Sequence, residues 1–201
     1  MSFLTGQFSI DLNRLRNRDE FAIESFVAKY EPFVRRAIRF RLARSSLGAA
    51  ADSVDVCQSV FGSFLLRLSA GEYKLLDEND LRRLLGSIAN NKFLALQRRE
   101  LAKKRDRRQT VSIHTLDEIA DVKEIGPDCA MYYSDLLSEF EKRLENPERE
   151  LFEMRKQGGS WGEIATKVNG DPLVLRKRLS RAVNRIAVEL GIDWDEDQPR
   201  P

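Results

Sequence analysis

Arg176, Lys177, Arg178, Arg181 and Arg185 crowd into ten residues near the end of this chain. Guanidinium groups stay charged at physiological pH, neutralise phosphate, and can bond both acceptors of a guanine edge. At about 100° per residue, Val174, Arg178, Arg181 and Arg185 form one stripe, Lys177 lies beside them, and Arg176 falls on the other flank. Leu175, Leu179, Ala182, Val183, Ile186 and Leu190 share a packing face. Ser160 and Glu163 form a capping box that starts a short helix ahead of this one. Asn169–Gly170 ends that helix in a tight turn. Asp171 then N-caps the basic helix, with Pro172 in its first position. A short helix, a tight turn and a basic helix present one helix to a major groove. The plain alternative is an amphipathic surface helix; the box, the turn and the arginine stripe together favour duplex DNA.

A second basic stretch has the same character. On a helix from Asp80 to about Arg107, Arg83, Ser87, Asn91 and Arg98 share the polar face. Arg99, Lys103, Lys104, Arg105, Arg107 and Arg108 extend its charge. Asparagine pairs with bases, and arginine binds phosphate with a salt-dependent affinity. A solvated face, with Asn91 bonded to nearby backbone, is the alternative. Lys92 falls inside the apolar stripe by period and is expected to snorkel.

Other chemistry is poorly supplied. The single histidine, His114, sits in a stretch without periodicity, and the carboxylates are scattered. No G-x-x-x-x-G-K run is present. No catalytic residue, metal site or cofactor is expected. Cys57 and Cys129 lack ligand spacing and point to a reducing cytoplasm. No apolar run nears the ~20 residues of a membrane span, and no signal-peptide pattern opens the chain.

The net charge of +2 conceals strong segregation. Residues 81–109 carry ten basic and two acidic groups, and residues 154–185 carry eight and two. Between them, residues 110–153 carry four basic and twelve acidic groups. Two single-sign blocks are the footprint of two nucleic-acid contacts.

The elements that must position these groups are helical nearly throughout. Ile23, Phe26, Val27, Tyr30, Val34 and Ile38 repeat at helical spacing after Asp19, a plausible N-cap, and Pro32 should kink or split that helix. After a loop at Gly48–Ala50, Asp52 caps a helix with the stripe Cys57, Val60, Phe61, Phe64, Leu65 and Leu68. Residues 69–79 read as a polar loop exposing Gly71 and Tyr73. Met131, Leu136, Leu137, Phe140 and Leu144 give a further helix, and Asn146–Pro147 starts another. The expected fold is all-α: two small helical domains, residues 1–107 and 130–192, joined by a flexible linker at 108–129, the second a helix-turn-helix domain, with an acidic, frayed tail at 193–201.

Taken in order, the motifs resemble bacterial RNA polymerase sigma factors of the extracytoplasmic-function type. The likeness covers residues 10–107 and 130–190. A family pattern D-x-x-D-x-x-Q-x-x-F stands here as Asp52, Asp55, Gln58 and Phe61. An aliphatic-Ala-x-Asn signature is Ile88–Ala89–Asn90–Asn91, ending in Gln97–Arg98–Arg99. The L-x-x-P-x-R-E opening is Leu144, Pro147, Arg149 and Glu150, followed by Trp161, Glu163, Ile164 and Ala165. The run Leu175–Ala182 matches the family's V-K-S-R-L-x-R-A. Val54 and Ser59 replace acidic residues common in the family, and Leu173–Val174 replaces its small Gly-Thr pair.

The resemblance implies a promoter-specificity subunit without catalytic activity of its own. Asp55, Gln58, Ser59 and Gly62, opposite the apolar stripe, would be free to bind the clamp helices of core polymerase's largest subunit, with the flap region a second contact. Arg83, Ser87, Asn91, Arg98 and Arg99, with the 69–79 loop, would hold the melted single strand of the −10 element. Pro172, Val174, Arg176, Lys177, Arg178, Arg181 and Arg185 would read the −35 element as duplex. The acidic linker would thread toward the RNA exit path. Many members are held off by an anti-sigma factor, and the exposed faces of both domains would suit one. The competing expectation is a stand-alone helix-turn-helix regulator, which needs neither the Asp55–Gln58 face nor a second basic helix.

Overall fold

The computed structural model describes residues 2–43, 45, 53–106 and 129–193. Within them the chain is all-helical, with eight helices and no strand. These are α1 (Ser2–Arg16), α2 (Glu20–Ala43), α3 (Ser53–Ser69), α4 (Glu78–Asp106), α5 (Cys129–Lys142), α6 (Asn146–Lys156), α7 (Trp161–Val168) and α8 (Pro172–Glu189). No described helix is long and apolar enough to cross a membrane.

Local signals set most helix starts. Asp19 caps α2, its carboxylate accepting from the Ala22 N–H at 2.8 Å. Arg14 grips the same carboxylate at 3.0 Å, closing the α1–α2 turn, where Arg18 takes a left-handed φ of 59°. α4 begins two residues before Asp80 because Asp77, not Asp80, is its cap, accepting from the Asp80 N–H at 2.8 Å. The loop expected at 48–50 and the Asp52 cap lie outside the described residues, as do His114, most of the expected linker, and the tail beyond Asp193.

Three expectations change. Pro32 neither splits nor ends α2, which continues for eleven residues beyond it. The ring faces solvent, while Ile23, Phe26, Val27, Tyr30, Val34 and Ile38 bury the opposite face on both sides of it; this packing outweighs one lost backbone bond. The loop after α3 is not an exposed polar segment. Gly71 is buried, with a φ of +66° and the Arg155 guanidinium against it; Tyr73 stacks on Phe64 at 5.8 Å between centroids. Lys92 does not snorkel; it is 6% exposed and points inward.

The core is one continuous apolar cluster from Leu12 to Ile192. Phe26, Phe61, Phe64 and Tyr133 form its aromatic centre, with Phe26 and Phe64 stacked at 5.0 Å and Phe61 edge-on to Tyr133 at 6.5 Å. Burial raises the Tyr133 phenol far above its ordinary range. α2 and α3 both pack on α5, and α3 meets α8, so the helices after residue 129 rest directly on those before 106. Arg149 bonds the carbonyls of Glu141, Lys142 and Leu144, closing the end of α5.

Candidate nucleic-acid interface

The turn between α7 and α8 is built by short-range bonds. The Ser160 hydroxyl accepts from the Glu163 N–H at 3.3 Å, and the Glu163 carboxylate accepts from the Ser160 N–H at 2.7 Å. That backbone bond holds the Glu163 carboxyl below its ordinary value. Asn169 takes the left-handed conformation at φ 49°, and the Gly170 N–H closes onto the Ala165 carbonyl at 2.9 Å. Asp171 then accepts from the Leu173 and Val174 N–H groups at 2.8 and 3.0 Å.

α8 divides cleanly into faces. Leu179, Ala182, Val183, Ile186 and Ala187 are buried. Pro172, Val174, Arg176, Lys177, Arg178 and Arg181 face solvent. Leu173 and Val174 are 66% and 62% exposed, two apolar side chains able to meet thymine methyl groups at the head of a basic helix. Two expected contacts differ from the rest. Arg185 is engaged by Glu148 at 2.9 Å and Glu189 at 3.3 Å, so its charge is answered within the chain. Arg176 lies on the flank that faces the loop after α3, where its charge acts on the Glu72 carboxylate.

A second basic face runs along α4. Arg83, Ser87, Asn91, Arg98 and Arg99 are all exposed; the first four span an arc of about 80° on an ideal helix. Arg83 keeps only a distant ion pair with Asp80 at 3.7 Å. The Ser87 hydroxyl donates to the Arg83 carbonyl at 3.0 Å. The side chains of Lys103, Lys104 and Arg105, and all of Arg107 and Arg108, lie outside the described residues.

α2 lies beside α4 and runs the same way. Lys29 pairs with Glu78 at 3.3 Å, and Arg41 bonds Asn90 at 3.1 Å. Exposed Phe33, Arg36 and Phe40 therefore border the α4 face, and the Arg82 guanidinium stands 5.9 Å from the Phe33 centroid. The sequence reading missed this edge, although Phe33 and Phe40 fall seven residues apart and outside the apolar stripe. Base faces stack on exposed aromatic rings, and neighbouring guanidinium groups hold the backbone.

The α3 face expected to be open is half covered. Asp55 is exposed and Gln58 half-buried, and the Tyr133 hydroxyl donates weakly to the Gln58 carbonyl at 3.4 Å. Ser59 donates to the Ile192 carbonyl at 2.6 Å. Gly62 is buried; a Cβ there would stand 3.0 Å from Ile192 and 3.1 Å from Leu136. Gly62 thus marks a close approach of helices rather than an open surface.

No family model, curated protein or solved structure matches this chain.

Proposed function

We propose that this chain is a sigma-type promoter-specificity subunit. In this reading it binds core RNA polymerase, recognises a promoter and holds its melted strand, and it carries out no catalysis itself. The observation that carries the reading is the pair of exposed cationic faces on separate elements, α4 and α8. A regulator that only docks on duplex needs one such helix. α7 and α8 act as the helix-turn-helix, with Lys177, Arg178 and Arg181 toward the −35 duplex and Leu173 and Val174 supplying apolar base contacts. On α4, Arg83, Ser87, Asn91, Arg98 and Arg99 follow the unpaired −10 strand, with Phe33 and Arg82 extending that face. Asp55 and Gln58 begin the polymerase contact, and the setting is the bacterial cytoplasm.

The test is in vitro transcription with core polymerase, with and without the chain, followed by start-site mapping. The reading expects new, discrete start sites that need the chain. The burial of Gly62 favours a second reading, a stand-alone duplex-binding regulator. That reading expects footprints on DNA without polymerase and no added start site.

A further inference from the structure

The end of α8 is held against α3 and α4 by more than apolar contact. Gly191 adopts a φ of +69° and reverses the chain, so that the N–H groups of Ile192 and Asp193 both bond the Ala187 carbonyl, at 2.9 and 3.0 Å. This delivers the Ile192 side chain onto Gly62. The Ile192 carbonyl accepts from Ser59 at 2.6 Å and from the Lys92 ammonium. The Asp193 carboxylate is clamped between Lys92 and Arg67, the latter at 2.8 Å. Arg67 is itself fixed, bonding Ser63 at 2.6 Å and Asn184 at 2.8 Å. Lys92 is 6% exposed, and a buried ammonium without its carboxylate would be strongly destabilising. The clamp therefore joins elements on opposite sides of the residues expected to link two domains.

Ser59, covered by the end of α8, and Gly62, covered by Ile192 together with Leu136 of α5, are half of the surface assigned above to polymerase. One surface cannot hold both. We propose that Ile192 and Asp193 form an internal plug on the α3 face, so that the closed chain and polymerase binding exclude each other. The inference rests on the polymerase reading. In it, the chain must release the α8 end before the α3 face can seat on a partner, and free α8 then moves away from α3 to reach its own duplex. The apparent affinity for polymerase is the intrinsic affinity multiplied by the open fraction. If the closed form dominates by ten to one, full opening tightens apparent binding about tenfold.

The experiment uses the full chain and alters only the plug. Asp193→Ala removes the carboxylate and leaves α3 intact. Because it strands Lys92, a second variant, Lys92→Met with Asp193→Ala, removes both charges. Helix content by circular dichroism checks the fold, small-angle scattering reads opening, and titration with core polymerase reads affinity. We expect both measurements to move together in a folded variant: a larger radius of gyration and a Kd lower by about tenfold. A larger radius with unchanged Kd overturns the plug and leaves the polymerase reading standing. An unchanged radius in the double variant overturns it as well, since the clamp then holds nothing closed. Absence of binding by wild type and opened variants alike overturns the polymerase reading and the plug with it.

Discussion

Glu72 sits where three charged groups meet at the edge of α3. Burial pushes its carboxyl above the ordinary value, against the charges of Arg67 and Arg176; Asp193 adds to the upward push. One of its oxygens, Oε1, is buried without a hydrogen bond. A carboxyl raised on folding contributes stability that is fully present below its unfolded pKa. That contribution is lost as pH rises through the folded value. Glu72→Gln mimics the neutral form at every pH. The wild type should therefore lose stability relative to Glu72→Gln as pH rises above about 4.5. Urea unfolding midpoints of the two proteins at pH 5 and pH 7.5 check this, since other titrating groups cancel in the difference. Equal differences at both values would refute it. Gly71 makes a second residue-scale case. Its φ of +66° and the Arg155 atoms 2.8 Å from a would-be Cβ make Gly71→Ala unfavourable on two counts. The expected loss is about 1–3 kcal/mol, read from the same unfolding curves.

At the scale of the element, α8 shows what a sequence makes legible. Ser160, Glu163, Asn169 and Asp171 act within four residues of the groups they bond, and Pro172 fits the first helical position without an N–H, so their signal is written locally. The same holds for Asp19 at the head of α2. Where a distant surface decides, local signals mislead. Pro32 is overridden by packing along the rest of α2, and the polar-looking loop after α3 is drawn in by Phe64 and Arg155. Asp171→Ala should cost about 1 kcal/mol of stability and blur the approach of α8 to duplex. Arg178→Ala should weaken promoter duplex binding by about 1–3 kcal/mol if the side chain bonds a base. It should reduce the salt slope by about one if it meets only phosphate. Binding isotherms at several salt concentrations distinguish these outcomes. Arg185→Ala, whose charge is already answered by Glu148 and Glu189, should change duplex binding least among the arginines of the stripe. A loss equal to that of Arg178→Ala would show that those pairs open on binding.

Across the whole molecule, the contacts that matter most are the ones sequence pattern conveys least. Lys92 and Asp193 are 101 residues apart, and neither belongs to a motif. The visible sign was a lysine at an apolar position of α4, which fits a long side chain reaching water as well as one reaching a buried carboxylate. Gly62 carries no distinguishing local sign, since a glycine on a helix surface serves an open face or a close approach. Burial resolves both toward packing. The consequence concerns cooperativity. Two independent helical domains on a flexible linker would unfold separately, whereas one apolar cluster from Leu12 to Ile192, cross-linked by the Lys92–Asp193–Arg67 clamp, should unfold as a unit. Differential scanning calorimetry of the full chain should show a single transition with matching calorimetric and van't Hoff enthalpies. Asp193 carries the pH dependence of this coupling. Burial raises its carboxyl, but Lys92 and Arg67 outweigh that and hold it below the ordinary range. A carboxyl depressed on folding contributes stability above its unfolded pKa and loses it as pH falls through the folded value. The single transition should thus persist from neutrality through mild acid. It should separate into two only below about pH 4, or at neutral pH in the Lys92→Met, Asp193→Ala variant. Two resolved transitions in the wild type at neutral pH would show that the helices after residue 129 unfold on their own and that the clamp does not couple them.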